Sequence, residues 1–212
     1  MGLVRTVAPT VEPLTVAELK AHLRVTSASE DGIIGDYLTA AREACEAYTR
    51  RAFLEQTYRF TLDDFPSAYT CGVRAAVGDR AKRFPDRVIE LPRPNLISVT
   101  SVTYYDEDDA LQTLSSNSYT VDTDSLVGCV VLKEDESWPA VSSNIPNAVR
   151  VLYKAGYGTA ATSVPATIKG AVRFYVAHLY RQREPINIGN IINQIPLTLK
   201  AMLDVERIPQ FE

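Results

Sequence analysis

The sequence predicts an α+β fold: a helical core of two N-terminal and two C-terminal helices, with a small antiparallel β-sheet inserted between them. Three observations carry this. In residues 14–62, LTVAELKAHLRVTSASEDGIIGDYLTAAREACEAYTRRAFLEQTYRFTL, apolar residues recur at helical intervals and then give way to strict alternation. Through the middle of the chain, short runs rich in Val, Thr and Tyr recur about every 8 to 12 residues, as in an antiparallel meander. Helical spacing returns after Val164-Pro165. The chain therefore divides into residues 1–62 (helical hairpin and first strand), 63–164 (inserted antiparallel β region) and 165–212 (C-terminal helix and tail), together one compact domain plus a tail.

The opening GLVRTVAPTVEP has two prolines and no helical period, which predicts an extended arm. Thr15 and Glu18 have capping-box spacing, and Leu14 and Leu19 occupy the staple positions around that cap. After the polar turn TSASED, Ser29 is placed to cap a longer helix, on which Ile34, Leu38, Ala41, Cys45, Tyr48 and Ala52 form one stripe. Leu54, Gln56, Tyr58, Phe60 and Leu62 alternate with other residues, as one face of a strand does. The pattern dissolves from Asp63 to Asp86, which reads as a long excursion at the sheet edge. Further strands are predicted at Val88–Leu91, Ile97–Tyr105, Leu111–Leu114, Tyr119–Asp122, Cys129–Lys133 and Ala148–Lys154, with DEDDA as a turn and Trp138-Pro139 ending the series. Pro165 suits a first helical turn, and Ile168, Val172, Tyr175, Leu179 and Arg183 follow at helical spacing until Pro185. Leu197–Val205 predicts a short last helix.

Composition is that of a globular domain, 46% hydrophobic and 23% charged. No apolar run approaches the roughly 20 residues of a membrane span, and no signal-peptide order opens the chain, so no membrane partner is expected and the protein should stay in the cytoplasm where it is made. Cys45, Cys71 and Cys129 are widely spaced and predict neither a disulfide framework nor a zinc site. Gly2 and Thr6 fit a myristoylation pattern that no polybasic signal supports. The formal charge of −4 is uneven: residues 1–62 carry 7 basic and 8 acidic groups, 63–164 carry 9 and 14, and 165–212 carry 6 and 4. The middle is acidic, so a phosphate-gripping face is not expected there.

Catalytic groupings are missing from the sequence. His22 and His178 lie singly in predicted helices, outside any HExxH pair. Gly156-Tyr157-Gly158 lacks the third glycine and the lysine of a phosphate loop. The run Asp106–Asp109 fails as a calcium loop, because Leu111 and Asn117 stand where the turn glycine and the bidentate glutamate belong. Arg50-Arg51, Lys82-Arg83 and Arg181–Arg183 are basic clusters without interleaved aromatic residues, and the first and last fall where helix C-termini favour cations. No enzyme, metal or cofactor is expected.

Several segments in order resemble one family. LTVAELKAHLRV, then YLTAAREACEAYTRRAF with LEQTYRF, then LPRPNLISVTSVTYYDEDDALQTL with YTVDTDS, then VRVLYKAGYG and PATIKGAVRFYVAHLYRQRE are similar to the head-tail connector (adaptor) proteins of long-tailed bacteriophages and related gene transfer agents. The resemblance covers residues 14–185 and is weaker at 63–86 and after Asn187. It implies a structural virion protein of the neck, between head and tail. Such a protein forms a homo-oligomeric ring, commonly a dodecamer, beneath the portal protein. The ring extends the channel through which DNA passes without specific binding, and it offers a platform to a stopper or tail-terminator protein. Two other readings stay open: a β-sheet binding module of a phage tail or baseplate, and a hydrolase of unknown type.

The resemblance also implies a terminal segment that docks on the portal. Ile188, Ile191, Ile192, Ile195, Leu197, Leu199, Met202 and Leu203 are the candidate partner-binding residues, too apolar for a free tail, while the asparagines and glycine of NIGNIINQ predict a link that orders on binding. The alternative is that this segment packs back on its own helices.

Overall fold

The structure is a computed structural model and describes residues 1–67, 86–182 and 197–208. It is a mixed α+β fold that separates into two compact units. One is helical, from Thr10–Leu54 and Gly158–Ile208; the other is built of strands, from Met1–Pro9 and Glu55–Tyr157.

In the helical unit, α1 (Val16–Leu23) starts at the predicted capping box. Glu18 N donates to Thr15 Oγ1 at 3.2 Å, Thr15 N donates to Glu18 Oε2 at 2.7 Å, and Leu14 and Leu19 are buried beside the cap. The helix stops at Arg24, which adopts the left-handed conformation at φ 59°. The next cap differs from expectation: Ser27, not Ser29, accepts from a backbone N–H, and it caps a single 3-10 turn at Ala28–Glu30 that leads into α2 (Asp31–Thr49). The polar run offers several oxygens, and backbone geometry selects the earlier one. Ile34, Leu38, Ala41 and Cys45 are buried along α2. They pack against α3 (Ala166–Arg181), which buries Ile168, Ala171, Val172 and Val176, whereas Tyr175 and Leu179 are only half-buried. Pro165 precedes α3 rather than opening its first turn. A last helix, α4 (Leu197–Asp204), lies against α2 and α3.

The strand unit holds two antiparallel sheets rather than one meander. The larger has the order β1-β2-β8-β4-β5, with β1 Gly2–Val7, β2 Gln56–Leu62, β4 Leu96–Tyr105, β5 Leu111–Thr113 and β8 Val149–Ala155; the smaller has the order β3-β7-β6, with β3 Val88–Glu90, β6 Tyr119–Asp122 and β7 Cys129–Leu132. The predicted arm is thus an edge strand. Its pairing partner β2 is remote in sequence, which is why local pattern does not reveal it. At the centre, Tyr58, Phe60 and Leu62 of β2 stand opposite Tyr153, Val151 and Val149 of β8, and all six are buried. Gly128 lies so close to the other sheet's strand β4 that an added Cβ would sit 2.3 Å from Leu96 Cβ, a contact only glycine tolerates.

Residues 68–85, most of the excursion read at 63–86, lie outside the described residues, but both of its flanks are held by one side chain. The Trp138 indole stacks on Phe65 at 4.6 Å with an interplanar angle of 8°, and its Nε1–H donates to Asp86 O at 2.8 Å. Stacking of about 0.5–1.5 kcal/mol plus a hydrogen bond of about 1 kcal/mol gives an expected cost of about 2 kcal/mol for Trp138→Ala. Trp138→Phe should lose only the hydrogen-bond share. Urea denaturation of the two variants checks this: equal losses would show that the stacking contributes nothing, and an unchanged Trp138→Phe that the N–H bond contributes nothing.

Candidate interaction surfaces

The groups singled out for chemistry are taken up by structure. Among the described residues no cluster of His, Cys, Asp and Glu could hold a metal ion, and no helix is long and apolar enough to cross a membrane. Asp106 accepts from Asp108 N at 3.1 Å, Ala110 N at 2.9 Å and Gln112 Nε2 at 2.7 Å, so its carboxylate closes the hairpin turn. The Gln112 bond, with help from the two backbone bonds, lowers the Asp106 pKa. Gly156 and Gly158 have φ of 141° and 146°, and Gly156 N donates to Asn95 O at 2.9 Å. Those glycines serve a turn. His22 meets Phe174 edge-on at 6.0 Å, and the His178 ring lies 6.5 Å from Tyr175.

Cys45 and Cys129 are buried free thiols, and Cys71 lies outside the described residues. Burial, with the Glu46 charge, pushes the Cys45 pKa up to about 12, so this thiol is unreactive at neutral pH. Of the basic clusters, Lys82-Arg83 and Arg183 lie outside the described residues. Arg50 ends α2 in the left-handed conformation, and Arg51 donates to Glu206 O at 2.6 Å.

Sequence reading missed the buried ion group on α2. Arg42 is 3% exposed, donates from Nε to Glu12 at 2.7 Å and from Nη1 to Glu46 at 3.0 Å, while Glu46 Oε1 accepts from Phe53 N at 2.8 Å. Burial pulls the Arg42 pKa down, but the bond to Glu12 and the charges of Glu46, Glu12 and Glu43 outweigh it, leaving the pKa raised. The i,i+4 spacing of Arg42 and Glu46 was a visible signal. This group ties α2 to Glu12 and to the Phe53 backbone; a nearby apolar hollow, lined by Cys45, Tyr48, Tyr175 and Leu203 among others, measures about 50 Å³.

Of the candidate partner-binding residues, Ile188, Ile191, Ile192 and Ile195 lie outside the described residues. Leu197 opens α4. Leu199 and Leu203 are buried at 2% and 3% exposure within the helical unit, and Met202 is half-buried with its methyl against Gly170. The residues after α4 are anchored too: Ile208 is buried, its N–H donates to Thr49 O at 3.1 Å, and Tyr48 donates to Asp204 at 2.5 Å. The structure therefore brings Leu199 and Leu203 onto the protein's own α2 and α3.

The sequence of residues 13–89 matches the family model described as phage gp6-like head-tail connector protein. No curated protein matches the chain. Among solved structures, the fold is similar over 100% of this chain and 98% of each match to proteins in three particles. These are the neck of an empty GTA particle computed with C6 symmetry (TM-score 0.72, 21% identity), the virion of a native gene transfer agent particle (0.75, 20%) and the neck of a native GTA particle computed with C12 symmetry (0.71, 19%).

Proposed function

We infer that this protein, a head-tail connector by the family match of its residues 13–89, is a structural component of the virion neck, between head and tail. The observation that carries the reading is that match, which spans the capped helical hairpin, β2 and the start of β3. The likeness of fold to neck proteins over the whole chain supports it. In this reading the strand-rich region is an insertion between the two N-terminal and two C-terminal helices. Copies form a ring that extends the DNA channel beneath the portal protein and presents a platform to a stopper or tail-terminator protein. The acidic middle, with 14 acidic and 9 basic groups in residues 63–164, suits a channel along which DNA slides without being held.

The docking segment is Ile188, Ile191, Ile192 and Ile195, with Leu197, Leu199, Met202 and Leu203 as the helix that fixes its far end to the body. Burial of Leu199 and Leu203 supports that division of labour. The tail or baseplate binding module is disfavoured by the sheet tyrosines: Tyr58, Tyr119 and Tyr153 are buried, and Tyr104 and Tyr105 half-buried, so none offers an exposed platform. The test is electron microscopy of particles and of the purified protein mixed with its portal. Density for the protein in a ring between portal and tail is expected. Particles that attach tails normally when the protein is deleted would overturn the reading.

A further inference from the structure

Charge in this chain is sorted by segment. Residues 165–183 carry Lys169, Arg173, Arg181 and Arg183 and no acidic group, whereas residues 94–132 carry six acidic groups and no lysine or arginine. Each segment also holds a large apolar side chain in water: Phe174 on α3 is 52% exposed, and Leu111 at the start of β5 is 56% exposed. Phe174, His178 and Arg181 follow at i, i+4 and i+7, so they share one stripe of α3, and His22 of α1 meets Phe174 edge-on. Two acids near α3 are engaged: Glu18, toward Lys169 and Arg173, closes the capping box with Thr15, and Glu30 accepts from the Tyr180 hydroxyl. Among the described residues no carboxylate bonds Arg181. On the acidic side, Asp106 closes the β4–β5 turn, Asp109 accepts from the Ser142 hydroxyl, and Arg150 lies over the Tyr105 ring. The exposed carboxylates of Glu107 and Asp108 bond nothing among the described residues.

We propose that the α3 stripe around Phe174 takes the β4–β5 turn of a second copy, with Leu111 against Phe174 and with Glu107 and Asp108 toward Arg181. This rests on the ring reading above. An apolar contact with opposite charges at its rim is how a specific interface is built: the centre excludes water, and the rim sets partner and register. The two patches are matched in both respects. A duplex backbone would match the cations of α3 but bring no apolar group to cover Phe174. The basic stripe repels its own kind, so α3 does not suit α3 of another copy. Because the two patches differ, the contact is heterologous, the kind that closes into a ring.

The test mixes two full-length variants in a Cys71→Ser background, His178→Cys and Ala110→Cys, which lie beside the two apolar anchors and leave both in place. They are assembled together into particles and treated with a short bis-maleimide. Cys45 and Cys129 are buried and stay silent. A cross-linked dimer from the mixture, absent from either variant alone, is expected. Dimers from one variant alone would mean that its patch meets its own copy, and would overturn the proposal. Rings without the cross-link would overturn it while leaving the ring reading intact; particles holding the protein without a ring would overturn both. Charge exchange gives a second readout. Like charges set against each other at an interface are strongly unfavourable, so Arg181→Glu should cut incorporation about tenfold or more, and Arg181→Glu/Glu107→Lys/Asp108→Lys should restore most of it. All three side chains are exposed, so stability in urea should not change. Normal incorporation of Arg181→Glu would overturn the contact, and so would an Arg181→Glu defect that the two lysines fail to repair. Retention of random duplex DNA that Arg181→Glu abolishes would assign the stripe to nucleic acid instead.

Discussion

Arg42→Ala should destabilise the helical unit by about 3–5 kcal/mol, because removing one partner of a buried ion pair leaves the other charge without compensation. Glu46 is 5% exposed and would lose its 3.0 Å bond, while Glu12 would lose its 2.7 Å bond. The loss is therefore larger than that of a surface ion pair, for which about 0–1 kcal/mol is usual. Arg42→Met/Glu46→Gln separates charge from packing. It removes both buried charges, keeps an acceptor for Phe53 N–H and fills the same volume with apolar stem, so most of the stability should return. Urea denaturation of the single and double variants measures the difference. A single variant within about 1 kcal/mol of wild type would show that Arg42 is solvated well enough to dispense with its partners.

That group was hidden in the sequence because an amphipathic stripe draws attention to its apolar members. Ile34, Leu38, Ala41 and Cys45 were legible as buried, since their spacing repeats; Arg42 and Glu46 sit beside the stripe and become buried only because other chain segments cover them. The strands were legible for the same local reason. Tyr119–Asp122 emerges at its predicted bounds, and β3, β5, β7 and β8 lie within a residue of theirs. Which strands pair was not legible. Alternation fixes a face but names no neighbour, so neither the split into two sheets nor the capture of Gly2–Val7 by β2, whose partners lie 50 to 59 residues away, follows from local pattern. Trp138 shows the same limit. Beside Pro139 it read as the end of a series of strands, whereas its ring and N–H hold Phe65 and Asp86, residues with which it shares no local pattern.

Truncation after Glu184 should give an unfolded or insoluble product. The deletion removes α4 and the segment to Ile208, and with them three buried side chains, Leu199, Leu203 and Ile208. Each large-to-small change at such a site costs about 2–5 kcal/mol, so the three together approach the 5–15 kcal/mol by which a typical domain is stable. The truncation also strips Ile208 N from Thr49 O and Glu206 O from Arg51, leaving the end of α2 with a buried arginine lacking that acceptor. A narrower variant isolates the docking role. Replacing Ile188, Ile191, Ile192 and Ile195 together by serine leaves α4 and its anchors in place, so stability should stay near wild type while co-sedimentation with the portal is lost. If instead the truncated protein folds with normal stability, α4 contributes little to the helical unit and its leucines are free to serve a partner. If the serine variant still binds the portal, docking belongs to another surface.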